Sequence, residues 1–430
     1  MLPLDLPEHP AARLLTADAV RERCAQIMAA AERGETSWFE WRPENLAVCA
    51  EYVVAVIREN YPDLSVPFHS RWRHFETLGV DRWGAVAAKA GLVGDRNRDE
   101  RARSEIDLAV TSVLLDAGAG AKWRYRDAAT GRTIARSEGL GVASLALFAG
   151  GAFSSDPARP LRADAAALAA FKSETLVEYF QVGADNPLVG VEGRTVLLQR
   201  LGGAAEANRT IFVTESCRAA RIGHLFDYLK TLAQCDDTSE NGHCTISARV
   251  LLKTLLHAFG PVWPSRYTLN GTGLGDCWRH PAASGISADD PTSGFVPFHK
   301  LTQWMAYSLL EPLTRGGLRV TELDALTGLP EYRNGGLLID LGVLVPIDPG
   351  LPLVPLTVDH PAVVEWRALT VIALDRLAEI ARARLGLTAG EFPLARVLEG
   401  GTWAAGRKIA AKRRAGGAPP LTIVSDGTVF

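Results

Sequence analysis

The densest cluster of reactive side-chain types is Phe68-His69-Ser70-Arg71-Trp72-Arg73-His74-Phe75-Glu76. In an extended segment Arg71 and Arg73 point the same way. Two guanidiniums on one face suit a phosphate or a carboxylate, with bidentate geometry available. His74 adds an imidazole, and Trp72 and Phe75 offer surfaces for a base or for the core. The same arginines also suit an interior salt-bridge network with Glu76, Asp81 and Arg82.

A second cluster centres on Glu331-Tyr332-Arg333. The surrounding stretch, residues 321–344, reads as a short helix, a tight Gly328-Leu329-Pro330 turn and a second helix with Glu331 in its first turn. The helix dipole there favours an ionised carboxylate and leaves N–H groups nearby. A carboxylate fixed at such a point can stabilise an oxocarbenium ion or activate water. An acid in a first turn is also an ordinary surface feature.

Glu365-Trp366-Arg367 puts two opposite charges inside an apolar helix. Residues two apart sit roughly 200° apart around a helix axis, so the two do not simply pair. Each needs another partner, either a ligand or a structural salt bridge. Arg194 and Arg200 flank a short apolar run and can reach a phosphate or merely solvate a surface. The stretch Gly400-Gly401-Thr402-Trp403-Ala404-Ala405-Gly406-Arg407-Lys408 reads as a Gly-rich turn entering a helix, which is an anion site or a plain junction.

Other chemistries lack their patterns. No Gly-Lys-Ser/Thr follows a glycine loop, so no P-loop is expected. Gly271-Thr272-Gly273-Leu274-Gly275-Asp276 has no preceding strand and no following helix to make a dinucleotide fingerprint. Cys235, His243, Cys244, His257, Cys277 and His280 match no zinc spacing, so no metal is expected. No Gly-x-Ser-x-Gly elbow is present. The cysteines at 24, 49, 217, 235, 244 and 277 form no CxxC pair and read as reduced structural thiols of a cytoplasmic protein.

The elements that must position these residues are mainly helices. Candidates span 16–33, 44–60, 105–117, 163–182, 216–234, 246–259, 298–314, 361–385 and 403–414. The long one, 361–385, has Asp359 as its expected cap, Pro361 in its first turn and Gly386 at its end. Residues 94–105 are either a solvated loop or the first turns of a helix. Residues 122–136 alternate about a Thr130-Gly131 turn and read as a β-hairpin, and residues 419–424 read as a short strand. The Gly-, Ser- and Pro-rich stretch 139–160 suggests a boundary, giving an N-terminal lobe over 1–160 and a helical lobe over 161–430. A chain of 430 residues is long enough for such a two-lobe core without staples. A net charge of −3 gives no basic field for bulk nucleic acid. The N-terminus has no signal-peptide pattern, and no run of about twenty apolar residues reaches across a membrane.

Several of these stretches together resemble the uracil catabolism protein 4 family. They include 69–76, 107–120, Arg136-Ser137-Glu138-Gly139-Leu140-Gly141, Phe153-Ser154-Ser155-Asp156-Pro157 and Asn186-Pro187-Leu188-Val189-Gly190. Pro297-Phe298-His299-Lys300-Leu301-Thr302-Gln303-Trp304, 330–336, 365–370, 400–407 and the terminal 425–430 complete the set. The resemblance implies a role in uracil degradation through nucleotides and a ring-opened urea-containing riboside. A weaker resemblance is to the queuosine-phosphate N-glycosylase family, in three segments and in the same order: 193–200, 331–344 and 365–370. Glu331 stands where that family has Asp, which lengthens the carboxylate arm. That resemblance implies a multi-helical, DNA-glycosylase-like core that releases a base from a nucleoside 5′-phosphate.

The expectation is therefore an N-ribosidase acting on ribosylurea 5′-phosphate or uridine monophosphate. Glu331 is its catalytic carboxylate. Arg71, Arg73, His74, Arg194, Arg200, Tyr332, Arg333, Glu365, Trp366 and Arg367 are its candidate binding residues. The chemistry calls for no cofactor. The expected partners are the nucleotide substrate and the ring-opening enzyme of the same route, with no nucleic acid and no membrane. Two alternatives stand beside it: an amide or ureido hydrolase relying on Cys or His, and a non-catalytic partner or sensor of the route.

Overall fold

The computed structural model describes residues 9–424 except Ala117, residues 237–242, Ile286 and Ala288. The 425–430 motif and the opening residues 1–8 lie outside the described residues. The fold is mainly α, as expected. The longer helices are α1 (Ala17–Glu32), α2 (Leu46–Asn60), α3 (Arg98–Leu114), α4 (Arg136–Ala149), α5 (Val191–Ala207), α6 (Ala248–Phe259), α7 (Lys300–Arg315), α8 (Tyr332–Asp340), α9 (Pro361–Leu385) and α10 (Ala404–Arg413). Among the described residues no helix is long and apolar enough to cross a membrane.

Two helices form the centre. From Ser104 to Leu114 every side chain of α3 is buried, as is every one from Ala362 to Val371 in α9. A helix apolar on all sides belongs in a core. α9 packs on α1 and α2, α3 packs on α7, and α8 packs on α10. The buried acids of α3 are all paired. Glu105 accepts from Trp83 Nε1 at 2.8 Å and from Arg101 and Arg315, while Asp107 takes Arg221 at 2.7 Å and the Gly223 N–H at 2.6 Å.

Helix ends follow local chemistry. Thr16 caps α1, its hydroxyl accepting from Ala19 N–H at 3.1 Å. The α9 cap is His360, not Asp359: its Nδ1 accepts from Ala362 N–H at 3.1 Å, because the helix starts one residue later than the acid could serve. Gly386 ends α9 at φ +72°, the left-handed position that glycine takes without strain.

The strands are short. The expected hairpin pairs Arg124–Arg126 with Thr133–Ala135, and Ile423–Val424 pairs in parallel with Leu356–Thr357. A three-stranded sheet places Leu318–Thr321 beside His243–Ser247, itself antiparallel to Gln234–Asp236. In that register Cys235 faces Cys244, and their sulfurs are joined. The expectation of six reduced thiols is corrected here. Strand pairing, not CxxC spacing, brings these two together. Cys24, Cys49 and Cys277 remain free and buried.

Three stretches are helical beyond the expected helices. Residues 136–149 form α4, overlapping the stretch that suggested a boundary, because Leu140, Val142, Ala143, Leu147 and Phe148 bury a full face. Arg194 and Arg200 lie on one seventeen-residue helix, α5. The Gly400-Gly401 stretch is no turn: a π-helical segment, Val397–Trp403, runs directly into α10. Hydrogen bonds and strands link early and late residues, for example Phe39–Trp41 with Leu344–Pro346.

Candidate functional site

Glu331 is the N-cap of α8, one residue before the helix proper. Its Oε2 accepts from Arg333 N–H at 2.9 Å and its Oε1 from Asn334 N–H at 2.6 Å. Pro330 precedes it, and Asn334 Nδ2 donates to Leu329 O at 3.0 Å, fixing the turn from the other side. The carboxylate is thus held rigidly by main-chain donors, and it lines a cavity of about 110 Å³.

Two close approaches set α8 in place. A Cβ on Gly335 would meet the Trp366 ring at 2.6 Å, and a Cβ on Gly406 would meet Arg333 O at 2.2 Å. Glycine at both points lets α9 and α10 press against α8. Trp366 Nε1 also donates to Gly335 O at 3.1 Å. Trp366, a candidate binding residue, therefore supports the helix that carries Glu331.

The cavity lining also carries cationic and aromatic side chains. Arg333 is buried, with its guanidinium carbon 4.3 Å from the Trp403 ring centre. Neither of its terminal nitrogens makes a well-formed hydrogen bond among the described residues. Burial works against its charge, but Tyr332, Glu331 and Glu138 more than offset that. Lys300, the first residue of α7, also lines the cavity. Burial, reinforced by Arg367, lowers its pKa, and Glu331, Asp276 and Asp116 oppose the shift. The Trp304 ring lies 4.6 Å from His69 and 6.1 Å from His74, and its buried indole N–H has no hydrogen-bond partner among the described residues.

Behind these sits a hydrogen-bonded shelf. Arg71 is fully buried, 2.6 Å from Asp116 and 2.8 Å from His74 Nδ1, and it donates to Ser112 Oγ at 2.7 Å. Burial, with Arg71 beside it, holds His74 well below the usual imidazole range. His74 is therefore neutral, and because Arg71 donates to Nδ1 its proton sits on Nε2. Burial raises the Asp116 carboxyl against the pull of Arg71. His69 Nδ1 stands 2.6 Å from Glu399.

The structure gathers Glu331, Tyr332, Arg333 and His74 around one cavity, with Arg71 directly behind it. It does not bring the others there. The 71–73 segment is not extended: Trp72–Phe75 is a helical turn, so Arg73 points away to Glu311 at 2.7 Å and Glu76 at 3.1 Å. Arg82 forms its salt bridge with Asp127 at 2.6 Å and meets that cluster through the Phe75 carbonyl at 3.2 Å. Arg194 is buried, donating to Leu115 O and Gly118 O, and burial brings its pKa down to about 10. Arg200 is exposed on α5. Glu365 accepts three backbone N–H groups, from Ser37, Trp38 and Phe39, at 2.8–3.2 Å. Arg367 grips Asp276 with two bonds of 2.8 Å.

Sequence reasoning gave no role to Lys300, Asp116, Trp304 or Trp403, which line the cavity. Lys300 and Trp304 lie in the stretch 297–304 and Asp116 in 107–120, which carried only the resemblance, while Trp403 lies in the Gly400–Lys408 stretch that read as an anion site or a plain junction. A charged or indole side chain in an otherwise apolar helix was the available signal.

The model of a protein family of unknown function, DUF1688, matches residues 13–430. The chain belongs to that family. This DUF1688 chain is 38% identical to Protein urg3 of Schizosaccharomyces pombe over 425 residues, covering 97% of this chain and 98% of that protein. It is 36% identical to Uracil catabolism protein 4 of Lachancea kluyveri over 448 residues, covering 98% and 99%. The similarity spans all the elements that build the cavity, from the 69–76 segment to α10.

Proposed function

We propose that this protein is an N-ribosidase of uracil catabolism, hydrolysing the N-glycosidic bond of ribosylurea 5′-phosphate or uridine monophosphate. One observation carries the reading. A carboxylate fixed by two backbone N–H groups lines the same cavity as a buried arginine whose terminal nitrogens make no well-formed hydrogen bond among the described residues. The relative named Uracil catabolism protein 4 supports the pathway.

In the proposed step the bond between C1′ and nitrogen breaks, and its electron pair leaves with the nitrogen. Positive charge develops on C1′ and the ring oxygen, beside the Glu331 carboxylate, where electrostatic stabilisation is most effective. Water adds its hydroxyl to C1′, and its other proton ends on the departing nitrogen. The products are ribose 5-phosphate and either urea or uracil. Arg333 and Lys300 hold the phosphate, since a guanidinium fork and an ammonium are the usual phosphate donors. Trp304 and Trp403 pack on the ureido group or base. Arg71 fixes His74 and Asp116 at the back of the cavity.

The test is turnover of both compounds by the purified protein, following ribose 5-phosphate, urea and uracil, with Glu331→Gln in parallel. Release of ribose 5-phosphate that the variant loses supports the reading. Release of ammonia without ribose 5-phosphate, lost in His74→Asn rather than in Glu331→Gln, would replace it with the ureido hydrolase. Binding without any turnover would make the protein a sensor or partner.

A further inference from the structure

A second, larger cavity of about 400 Å³ opens on the other side of the α7 N-terminus. That is the size range of small-molecule sites, and walls that are mostly apolar with a few polar groups are usual there. Leu15, Leu256, Pro261, Leu274 and Leu301 supply its apolar surface. Leu301 lines both cavities.

Its polar groups are of a different kind from those around Glu331. Among the described lining residues there is no Lys and no Arg. The lining carboxylate, Asp276, is committed: it takes two bonds from Arg367 at 2.8 Å, Trp278 Nε1 at 2.6 Å and Lys300 N–H at 2.9 Å. His299 Nε2 is within 2.9 Å of Leu14 O. By contrast, Trp263 Nε1 and Thr272 Oγ1 are buried atoms with no hydrogen-bond partner among the described residues, and both residues line the cavity. Orphaned buried polar atoms are uncommon in native proteins and call for a partner.

We infer that this cavity is a second ligand site, for an uncharged molecule of nucleoside size that brings carbonyl or hydroxyl acceptors to Trp263 and Thr272. The lining offers an anion no Lys or Arg, and its carboxylate already holds Arg367. The two cavities thus divide ligands by charge, with phosphorylated ones beside Arg333 and Lys300 and neutral ones beside Trp263. The ligand class follows from this cavity alone. Only the choice of a pyrimidine among the probes rests on the function proposed above.

The experiment is equilibrium titration of the full-length protein with uridine and adenosine, and with uridine monophosphate for comparison. Trp263→Phe keeps the ring and removes the N–H, while Leu256→Trp fills the cavity. At least one nucleoside is expected to bind saturably. Trp263→Phe should weaken it about tenfold, the worth of one hydrogen bond of about 1.4 kcal/mol, and Leu256→Trp should abolish it. Glu331→Gln and Arg333→Gln should leave it unchanged. Failure of both nucleosides to bind would overturn the inference. So would nucleoside binding that survives Trp263→Phe but is lost in Arg333→Gln, because the ligand would then sit in the first cavity. If Leu256→Trp does not fold, Trp263→Phe decides alone. Turnover lost in Glu331→Gln tests the ribosidase separately, so either idea can fail without the other.

Discussion

Arg333 lies against Trp403 with its guanidinium carbon 4.3 Å from the ring centre, and both its terminal nitrogens are buried without a well-formed hydrogen bond among the described residues. The stacking fixes the plane of the fork. Such an arrangement is preorganised for an anion, because little side-chain entropy remains to be lost on binding.

Arg333→Gln is therefore expected to lower kcat/KM for the phosphorylated substrate by roughly 10- to 100-fold, from charge-assisted hydrogen bonds worth about 1.5–3 kcal/mol. Most of the loss should appear in KM. Arg333→Lys should recover only part of it, since an ammonium cannot reproduce a bidentate fork. Steady-state kinetics on both variants check this, and a loss confined to kcat would contradict it.

Glu331 has two jobs that substitution separates. As an N-cap it satisfies two backbone donors, so Glu331→Ala should cost about 1 kcal/mol in stability. Glu331→Gln retains the length and one acceptor but removes the charge, so it should fold nearly as well. Its kcat should fall by about 100-fold or more with KM little changed, in line with the loss of an electrostatic catalytic group. Denaturant melts beside single-turnover rates distinguish the two effects.

His74 is held neutral in the folded state, while in the unfolded chain it protonates near pH 6.5. Its folded pKa is depressed, so below about pH 6.5 the unfolded state binds the extra proton and stability falls as pH falls. One such group gives a slope of up to about 1.4 kcal/mol per pH unit. His224 and His299, also lowered by burial, add to the same trend. Denaturant midpoints between pH 7.5 and 5.5 should show it, and His74→Asn should reduce the slope by about one proton.

Glu365 is expected to behave as a structural residue. Its carboxylate closes three backbone N–H groups of the 37–39 segment onto α9. Glu365→Leu leaves those donors unsatisfied and should destabilise the fold by roughly 3 kcal/mol or more. Glu365→Gln should cost less. For the protein that remains folded, kcat should be unchanged with Glu365→Gln, and a selective loss of kcat would mean that Glu365 acts in catalysis.

The sequence by itself determined the helical character of the chain, the hairpin over 124–135 and the boundaries of α1, α6, α7 and α9 to within a few residues. Hydrophobic periodicity and end signals such as Pro361 and Gly386 are local, and local physics suffices to read them. It also singled out Glu331, Tyr332, Arg333 and His74. Short polar-aromatic clusters beside a Pro turn stand out without any knowledge of their neighbours.

Only the tertiary structure decided which charges face a cavity and which are consumed elsewhere. Arg71 and Arg73 are two residues apart, yet one backs the cavity and the other pairs with Glu311, because a helical turn, not a strand, carries them. Glu365 and Arg367 look like ligands in the sequence and prove to be ties to residues 37–39 and to Asp276, more than 300 and about 90 positions away. Lys300 and Trp403 join Glu331 from different helices, and Cys235 meets Cys244 through strand register. A charge pattern records that a buried charge needs a partner. Which partner it finds depends on long-range packing that no local window of sequence contains.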